Sequence, residues 1–128
     1  MFAANTVAWW APQIRAGDEV RWPYGAVETA PIDERDIATV AVRALSEASL
    51  AGGDFVLTGP EALSHARQVA IIGELLGRRL AFHELSPDDF RRETDATWPP
   101  SAVEMLLAAH ADSFRNAGGQ GTYGGTAT

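Results

Sequence analysis

Four large aromatic residues are the first candidates for a binding surface. Trp9 and Trp10 are adjacent, and Trp22 and Tyr24 lie on either side of Pro23. Flat rings of this kind can cover a hydrophobic or aromatic ligand, and a tyrosine hydroxyl can donate a hydrogen bond to it. We predict that these four residues bind substrate. Packing in the protein core is the alternative, because aromatic side chains supply much of the buried area in proteins.

Three titratable residues are candidates for proton transfer. His83 is a candidate general base, because the ordinary pKa of histidine lies near physiological pH. Tyr24 is a candidate acid, although the sequence holds no lysine to assist it. Asp36 and Asp33 form a carboxylate pair suited to acid and base catalysis, but their position at a predicted helix start also explains them as capping groups. The catalytic residue therefore stays unknown, with His83, Tyr24 and Asp36 as candidates.

Composition excludes several kinds of chemistry. The 128 residues carry a formal charge of -7 with ten dispersed basic residues, which disfavours nucleic acid and anionic membranes as partners. All ten are arginine, so Schiff-base chemistry and a Tyr-x-x-x-Lys dyad are excluded. The chain has no cysteine, and His65 and His110 fall on separate predicted helices without metal-ligand spacing, so we expect solvated or core-edge histidines and no metal site.

Hydropathy and residue usage predict a soluble, cytoplasmic protein. No apolar run approaches the roughly 20 residues of a membrane-spanning helix, and the N-terminus lacks the basic segment of a secretory signal. The alanine- and arginine-rich, lysine-free composition indicates a GC-rich genome, such as an actinobacterial one.

The elements that must position these residues alternate between helices and short strands. Apolar spacing predicts a first helix over residues 5–16, with a kink or an early stop at Pro12. Residues 19–22 and 27–32 are predicted as a hairpin or a pair of irregular strands. A helix over residues 33–48 follows, capped by Asp33. Its predicted buried face consists of Ile37, Val40, Ala41, Ala44 and Leu45.

The second part of the chain continues the alternation. Residues 55–57 are predicted as a strand, and a helix capped by Ser64 ends at Gly77 in the left-handed conformation. Residues 79–85 are predicted as a strand, Ser86 begins a short helix, and the last helix covers residues 101–114. One domain is thus expected over residues 1–115. A flexible tail rich in glycine and threonine is expected over residues 116–128.

Two ordered segments resemble a known family. Asp33-Glu34-Arg35-Asp36-Ile37-Ala38 and the later Leu57-Thr58-Gly59-Pro60 are similar, in kind and order, to the second half of NmrA-like NAD(P)-binding proteins, which are atypical short-chain dehydrogenase relatives. The resemblance implies an α/β or α+β fold with a small mixed sheet of short strands and about five helices. It also implies that the first helix lies over the cleft for cofactor and substrate. Full-length relatives bind NAD(P) through a glycine-rich loop in their first half.

That nucleotide loop is not expected in this chain. The stretch beginning Gly118-Gly119-Gln120-Gly121 is glycine-rich, but no predicted strand precedes it and no predicted helix follows, as a dinucleotide loop requires. We therefore expect no cofactor for this chain alone and no hydride transfer by it alone.

The leading functional hypothesis is a domain that binds a small hydrophobic or aromatic molecule and derives from an NmrA-like NAD(P)-dependent oxidoreductase. One alternative is a cofactor-independent cyclase, isomerase or lyase of secondary metabolism. Another is a structural or regulatory partner that forms a homo-oligomer or binds a separate Rossmann-type subunit.

Overall fold

The computed structural model describes residues 1–116. Five α-helices and four short strands follow one another, and their bounds are α1 Ala4–Ala16, β1 Glu19–Pro23, β2 Glu28–Thr29, α2 Glu34–Ser46, β3 Leu63–Ser64, α3 His65–Leu76, β4 Ala81–Leu85, α4 Pro87–Thr94 and α5 Pro100–Asn116. A single 3-10 turn, Ala48–Leu50, follows α2. The mixed α/β class agrees with the sequence. The predicted flexible tail falls almost wholly on residues 117–128, outside the described residues.

The strands form two separate pairs. β1 lies parallel to β4, with Glu19 opposite Ala81 and Pro23 opposite Leu85, and β2 lies antiparallel to β3. The hairpin between residues 19–22 and 27–32 is therefore wrong, whereas the alternative of two short strands at these places is confirmed. A tight turn does follow β1, since the Val27 amide donates to the Tyr24 carbonyl at 3.1 Å. After this turn the chain does not pair back onto β1. Each strand instead pairs with one that is distant in sequence, β1 with β4 and β2 with β3.

Local capping signals are confirmed. The side chains of Asp33, Ser64 and Ser86 accept hydrogen bonds from the amides of Arg35, Arg67 and Asp89 at the starts of α2, α3 and α4. Gly77 follows α3 with φ 65°, in the left-handed region. Each of these contacts lies within four residues, so the local sequence determines it.

Two helices depart from expectation. α1 runs through Pro12 to Ala16, so the early stop is wrong. Arg78 supports its end by donating to the carbonyls of Ile14 and Gly17 at 3.0 and 2.8 Å. α2 has no buried residue, and Leu45, expected on its buried face, is 90% exposed. Ala41 is also exposed, whereas Ile37, Val40 and Ala44 are half-buried, and the 3-10 turn that follows is the main described element in contact with α2.

The strand predicted over residues 55–57 is also absent. The segment has no regular structure, and Val56 is 90% exposed. A strand requires a hydrogen-bonded neighbour, and within the described residues no strand runs beside this segment. A short apolar run thus predicted a conformation that lacks a pairing partner.

The core is built around the β1–β4 pair. Trp22 on β1 lies at its centre, with helices α1, α3, α4 and α5 around it. The stripe predicted for the last helix is confirmed, since Val103, Leu106, Leu107 and His110 are all buried. The buried core residues are Trp10, Ile14, Val20, Trp22, Tyr24, Val27, Val69, Leu85, Phe90, Val103, Leu106 and Leu107. Among the described helices, none is long and apolar enough to cross a membrane.

Candidate functional site

A cleft of about 420 Å³ lies beside α1, β1 and α4, and its lining includes four aromatic side chains, those of Trp9, Trp22, Phe90 and Trp98. Trp9 stacks on Trp22 with ring centroids 5.1 Å apart. Phe90 and Trp98 meet Trp22 edge-on, at 5.0 and 6.0 Å. These offset and edge-to-face arrangements are the favoured ones for aromatic pairs. Trp22 and Phe90 are themselves almost fully buried, so the accessible aromatic surface of the cleft comes mainly from Trp9 and Trp98, which these ring-to-ring contacts hold in place.

Helix α4 supplies one side of the cleft. Phe90, Glu93 and Thr94 all line it, and the three- and four-residue spacing places them on one face of the helix. Sequence reasoning recognised the start of this helix but assigned its residues no role. The spacing of Phe90, Glu93 and Thr94 could have indicated a shared helix face towards the cleft. Trp98, four residues after Thr94, lines the same cleft.

Charged side chains occupy the rim. The Arg21 guanidinium donates to both carboxylate oxygens of Glu93, with Nε to Oε2 at 3.0 Å and Nη2 to Oε1 at 2.6 Å. Its Nη1 donates to Glu19 at 3.1 Å. The hydrogen bond from Arg21 lowers the pKa of Glu93, and the same contact raises the pKa of Arg21. Both groups are therefore charged at neutral pH.

Gln13 fixes the backbone beneath this ion pair. Its Oε1 accepts from the Arg21 amide at 2.7 Å, and its Nε2 donates to the Arg21 carbonyl at 3.2 Å. The side chain thus satisfies both backbone groups of a β1 residue, as a neighbouring strand would. Helix α1 is thereby tied to β1 beside the cleft.

The structure brings together two of the four predicted ligand-binding aromatics. Trp9 and Trp22 line the cleft. Trp10 is fully buried and packs edge-on against Trp22 and His65 instead. Tyr24 is buried with its ring centroid 6.1 Å from that of His110. A ligand contact for Trp10 and Tyr24 stays a prediction.

The candidates for proton transfer lie apart from the cleft wall. His83 is half-exposed on β4, opposite Arg21 in the strand pair, with Nδ1 3.6 Å from Glu19 Oε1. Asp36 is exposed in the first turn of α2. The capping interpretation of Asp33 is confirmed, and hydrogen bonds from Arg35 lower the pKa of Asp33 to about 2.

Two histidines far apart in sequence meet in the core. His65 is fully buried and His110 is 8% exposed, so neither is solvated. Their ring centroids lie 4.7 Å apart, edge to face. Burial lowers the pKa of each to about 4, and the nearby His110 contributes to the shift of His65. Because a carbonyl only accepts, the 3.0 Å contact with the Tyr24 carbonyl places the proton of neutral His65 on Nδ1.

Several buried nitrogens around Trp9 and Trp22 lack a hydrogen-bond partner among the described residues. They are His65 Nε2, His110 Nδ1, Trp10 Nε1 and Trp22 Nε1. Buried polar groups without partners cost free energy. The interior next to the cleft thus retains hydrogen-bonding capacity that packing does not use.

Within residues 1–116, no three His, Asp or Glu side chains are grouped closely enough to hold a metal ion. Gly118, Gly121 and Gly124 do have Gly-x-x-Gly-x-x-Gly spacing. They lie outside the described residues and follow α5, whereas a dinucleotide loop follows a strand.

Comparison with known proteins shows that the chain is similar in sequence to reductases. The chain is 41% identical over 106 residues to a (4-alkanoyl-5-oxo-2,5-dihydrofuran-3-yl)methyl phosphate reductase of Streptomyces griseus, covering 83% of this chain and 37% of that protein. It is 35% identical over 111 residues to an NAD(P)H azoreductase of Xenophilus azovorans, covering 86% of this chain and 39% of the relative. No protein-family model matches the chain.

Solved structures agree on the fold. An NADPH-dependent quinone oxidoreductase of Escherichia coli matches with a TM-score of 0.74 and 24% identity, over 97% of this chain and 44% of that one. A triphenylmethane reductase of Citrobacter sp., solved with NADP(H), matches with a TM-score of 0.74 and 14% identity, over 95% of this chain and 43% of its own.

The chain spans less than half the length of each of these relatives. The matches nevertheless confirm the resemblance seen in the sequence. The chain is a homologue of NAD(P)H-dependent reductases over part of their length, consistent with the C-terminal half of an NmrA-like protein.

Proposed function

We propose that this chain is the substrate-binding part of an NmrA-like, NAD(P)H-dependent reductase, and that the aromatic cleft holds a hydrophobic or aromatic small molecule. The observation that carries the proposal is the wall formed by Trp9, Trp22, Phe90 and Trp98 around about 420 Å³. Ligand sites are typically concave and mostly apolar, with a few polar groups that fix orientation. Gln13, Thr94 and Thr97 also line the cleft and supply such groups.

A neutral aromatic probe tests the cleft. We expect 2-naphthol to bind saturably in isothermal calorimetry and to change the tryptophan fluorescence. Trp98→Ala should weaken binding about threefold to tenfold, because an aromatic contact contributes roughly 0.5–1.5 kcal/mol beyond area burial. Trp10→Phe is the control, because Trp10 does not line the cleft and the substitution keeps an aromatic ring in the core. Absence of saturable binding, or equal affinity in Trp98→Ala, would contradict the proposal.

We further infer that this chain alone does not bind NAD(P)H. The position of the Gly118–Gly124 spacing after a helix rather than a strand supports this inference. Titration of the full 128-residue chain with NADPH should give no saturable energy transfer from tryptophan to the nicotinamide. Saturable micromolar binding would overturn the inference and leave the aromatic cleft proposal standing.

A further inference from the structure

The charges at the rim of the aromatic cleft are unbalanced. Three nitrogens of the Arg21 guanidinium are occupied by two carboxylates, those of Glu93 and Glu19. One positive charge therefore faces two negative ones. Guanidinium groups bind phosphate and sulfonate through the same fork of donors that bind carboxylates. Three of the five N–H donors of Arg21 are thus committed to carboxylates, and two negative charges already offset its positive one.

Other positive charge is missing from the lining. Among the described residues that line the cleft, Arg21 is the single basic one. His83 lies beside Glu19 across the strand pair, and it adds charge only when protonated. The whole chain carries a formal charge of -7. An anion entering the cleft would thus meet a repulsive field both at the rim and from the molecule as a whole.

The aromatic walls favour the opposite charge. The face of an aromatic ring carries negative electrostatic potential, and tryptophan binds cations better than tyrosine or phenylalanine. Trp9 and Trp98 are both half-buried, so part of each ring surface stays accessible at the cleft. Tryptophan faces recognise cations with delocalised charge, and the Glu93 carboxylate lines the same cleft.

We propose that the aromatic cleft selects a planar aromatic cation over a neutral compound of the same size, and that it rejects aromatic phosphates. The inference rests on the proposed function, since it assigns the charge of the ligand for that same cleft. It also separates this chain from its Streptomyces griseus relative, whose name specifies a phosphate-bearing substrate.

Three probes of similar size test the inference by calorimetry: N-methylquinolinium, 2-naphthol and 2-naphthyl phosphate. We expect the cation to bind about threefold to tenfold more tightly than 2-naphthol, the range typical of cation–π contacts. The phosphate should bind more weakly than either. The preference for the cation should shrink as salt rises, because partly exposed charges are screened.

Glu93→Gln isolates the role of the rim. It removes one of the two carboxylates, so the cation preference should fall and the affinity for 2-naphthyl phosphate should rise. Glu104→Gln is the matched control, because Glu104 accepts a similar two-point contact from Arg91, at 2.6 and 2.9 Å, and does not line the cleft. If Glu93→Gln fails to fold by circular dichroism, Glu19→Gln makes the same test through the second carboxylate.

The outcomes separate the two proposals. A cation preference that Glu93→Gln reduces and Glu104→Gln retains supports the inference. Equal affinity for the cation and 2-naphthol, or a preference for the phosphate, overturns the inference but leaves the aromatic cleft as a binding site. Failure of all three probes to bind overturns the proposed function itself.

Discussion

His65 and His110 are held neutral inside the core, where each ring has lost most of its contact with water. Burial is the largest cause of both lowered pKa values. No carboxylate contributes to either shift in the direction that would favour the charged ring. At the scale of single residues, this pair links folding to mild acidity. The unfolded chain takes up protons on both rings near the ordinary histidine pKa, and the folded chain does not.

We predict that stability falls as pH decreases from about 6.5 towards 4. Above the unfolded pKa of 6.5 both states hold neutral rings, so the full stability is present. Below pH 6.5 the unfolded state binds more protons than the folded state. The free energy of unfolding then falls by up to about 1.4 kcal/mol per pH unit for each histidine. Urea unfolding between pH 7 and pH 4.5 measures this slope before most carboxylates titrate.

Two variants assign the pH slope to the buried pair. His110→Phe should reduce the slope, since it removes one titrating ring from the core. His83→Gln is the comparison, because it removes the exposed histidine of β4 and leaves the buried pair intact. A free energy of unfolding that stays constant over this pH range would show that the buried pair does not govern acid stability.

At the scale of elements, two glycines allow the cost of a left-handed helix end to be measured. A β-carbon added at Gly17 or at Gly77 would meet no atom within 4 Å, so space is free at both positions. Gly17 has φ -175°, which any residue adopts, whereas Gly77 has φ 65°. Gly77→Ala should therefore lower the free energy of unfolding by about 1–2 kcal/mol. Gly17→Ala should be neutral or raise it by a few tenths of a kcal/mol, by restricting the unfolded chain.

Chemical denaturation of the two glycine variants makes the comparison. Because neither substitution creates a clash, the difference between them reports backbone conformation alone. Equal effects on stability would mean that the left-handed conformation of Gly77 is not required to end α3.

The same elements show what could be read from the sequence. The ends of α2, α3 and α4 were predictable from Asp33, Ser64, Gly77 and Ser86, because each capping contact joins residues within one turn. Strand pairing was not predictable, since β1 and β4 are separated by two helices and two strands. Periodicity identifies a strand but not its neighbour.

The candidate site was likewise predictable only in part. The aromatic residue types at Trp9 and Trp22 pointed to a ligand surface, and the fold stacks these two rings at the cleft. The Arg21–Glu93 ion pair and the His65–His110 contact depend on tertiary packing, because their partners lie on elements far apart in the chain. No local pattern encodes such contacts.

At the scale of the whole molecule, the protein has a dense centre and a lightly packed margin. All buried core residues lie outside α2, the 3-10 turn and residues 53–57. Leu45 and Val56 are each 90% exposed in that margin. Regions with few buried apolar contacts open at lower free energy than the core does.

We predict that amides of α2 exchange hydrogen through local opening. Native-state exchange followed by mass spectrometry should show lower protection for peptides covering residues 34–46 than for those covering α5 or the β1–β4 pair. Exchange of α2 should also be less sensitive to low urea, because a local opening exposes little new surface. Equal protection of α2 and α5 would instead indicate that the described chain unfolds as one cooperative unit.

The parallel contact between β1 and β4 has a consequence for how the chain acquires its structure. Residues 19–23 must wait for residues 81–85 before their backbone groups can pair. Closing so long a loop costs entropy before any contact offsets it, and such high contact order slows folding. Emerging from the ribosome, Trp22 cannot reach its native surroundings until Leu85 and Phe90 have been synthesised. Until then Trp22 can gain its native contacts with Trp9 and Trp10 but not the contact with Phe90, so its indole stays incompletely covered against the solvent and chaperones.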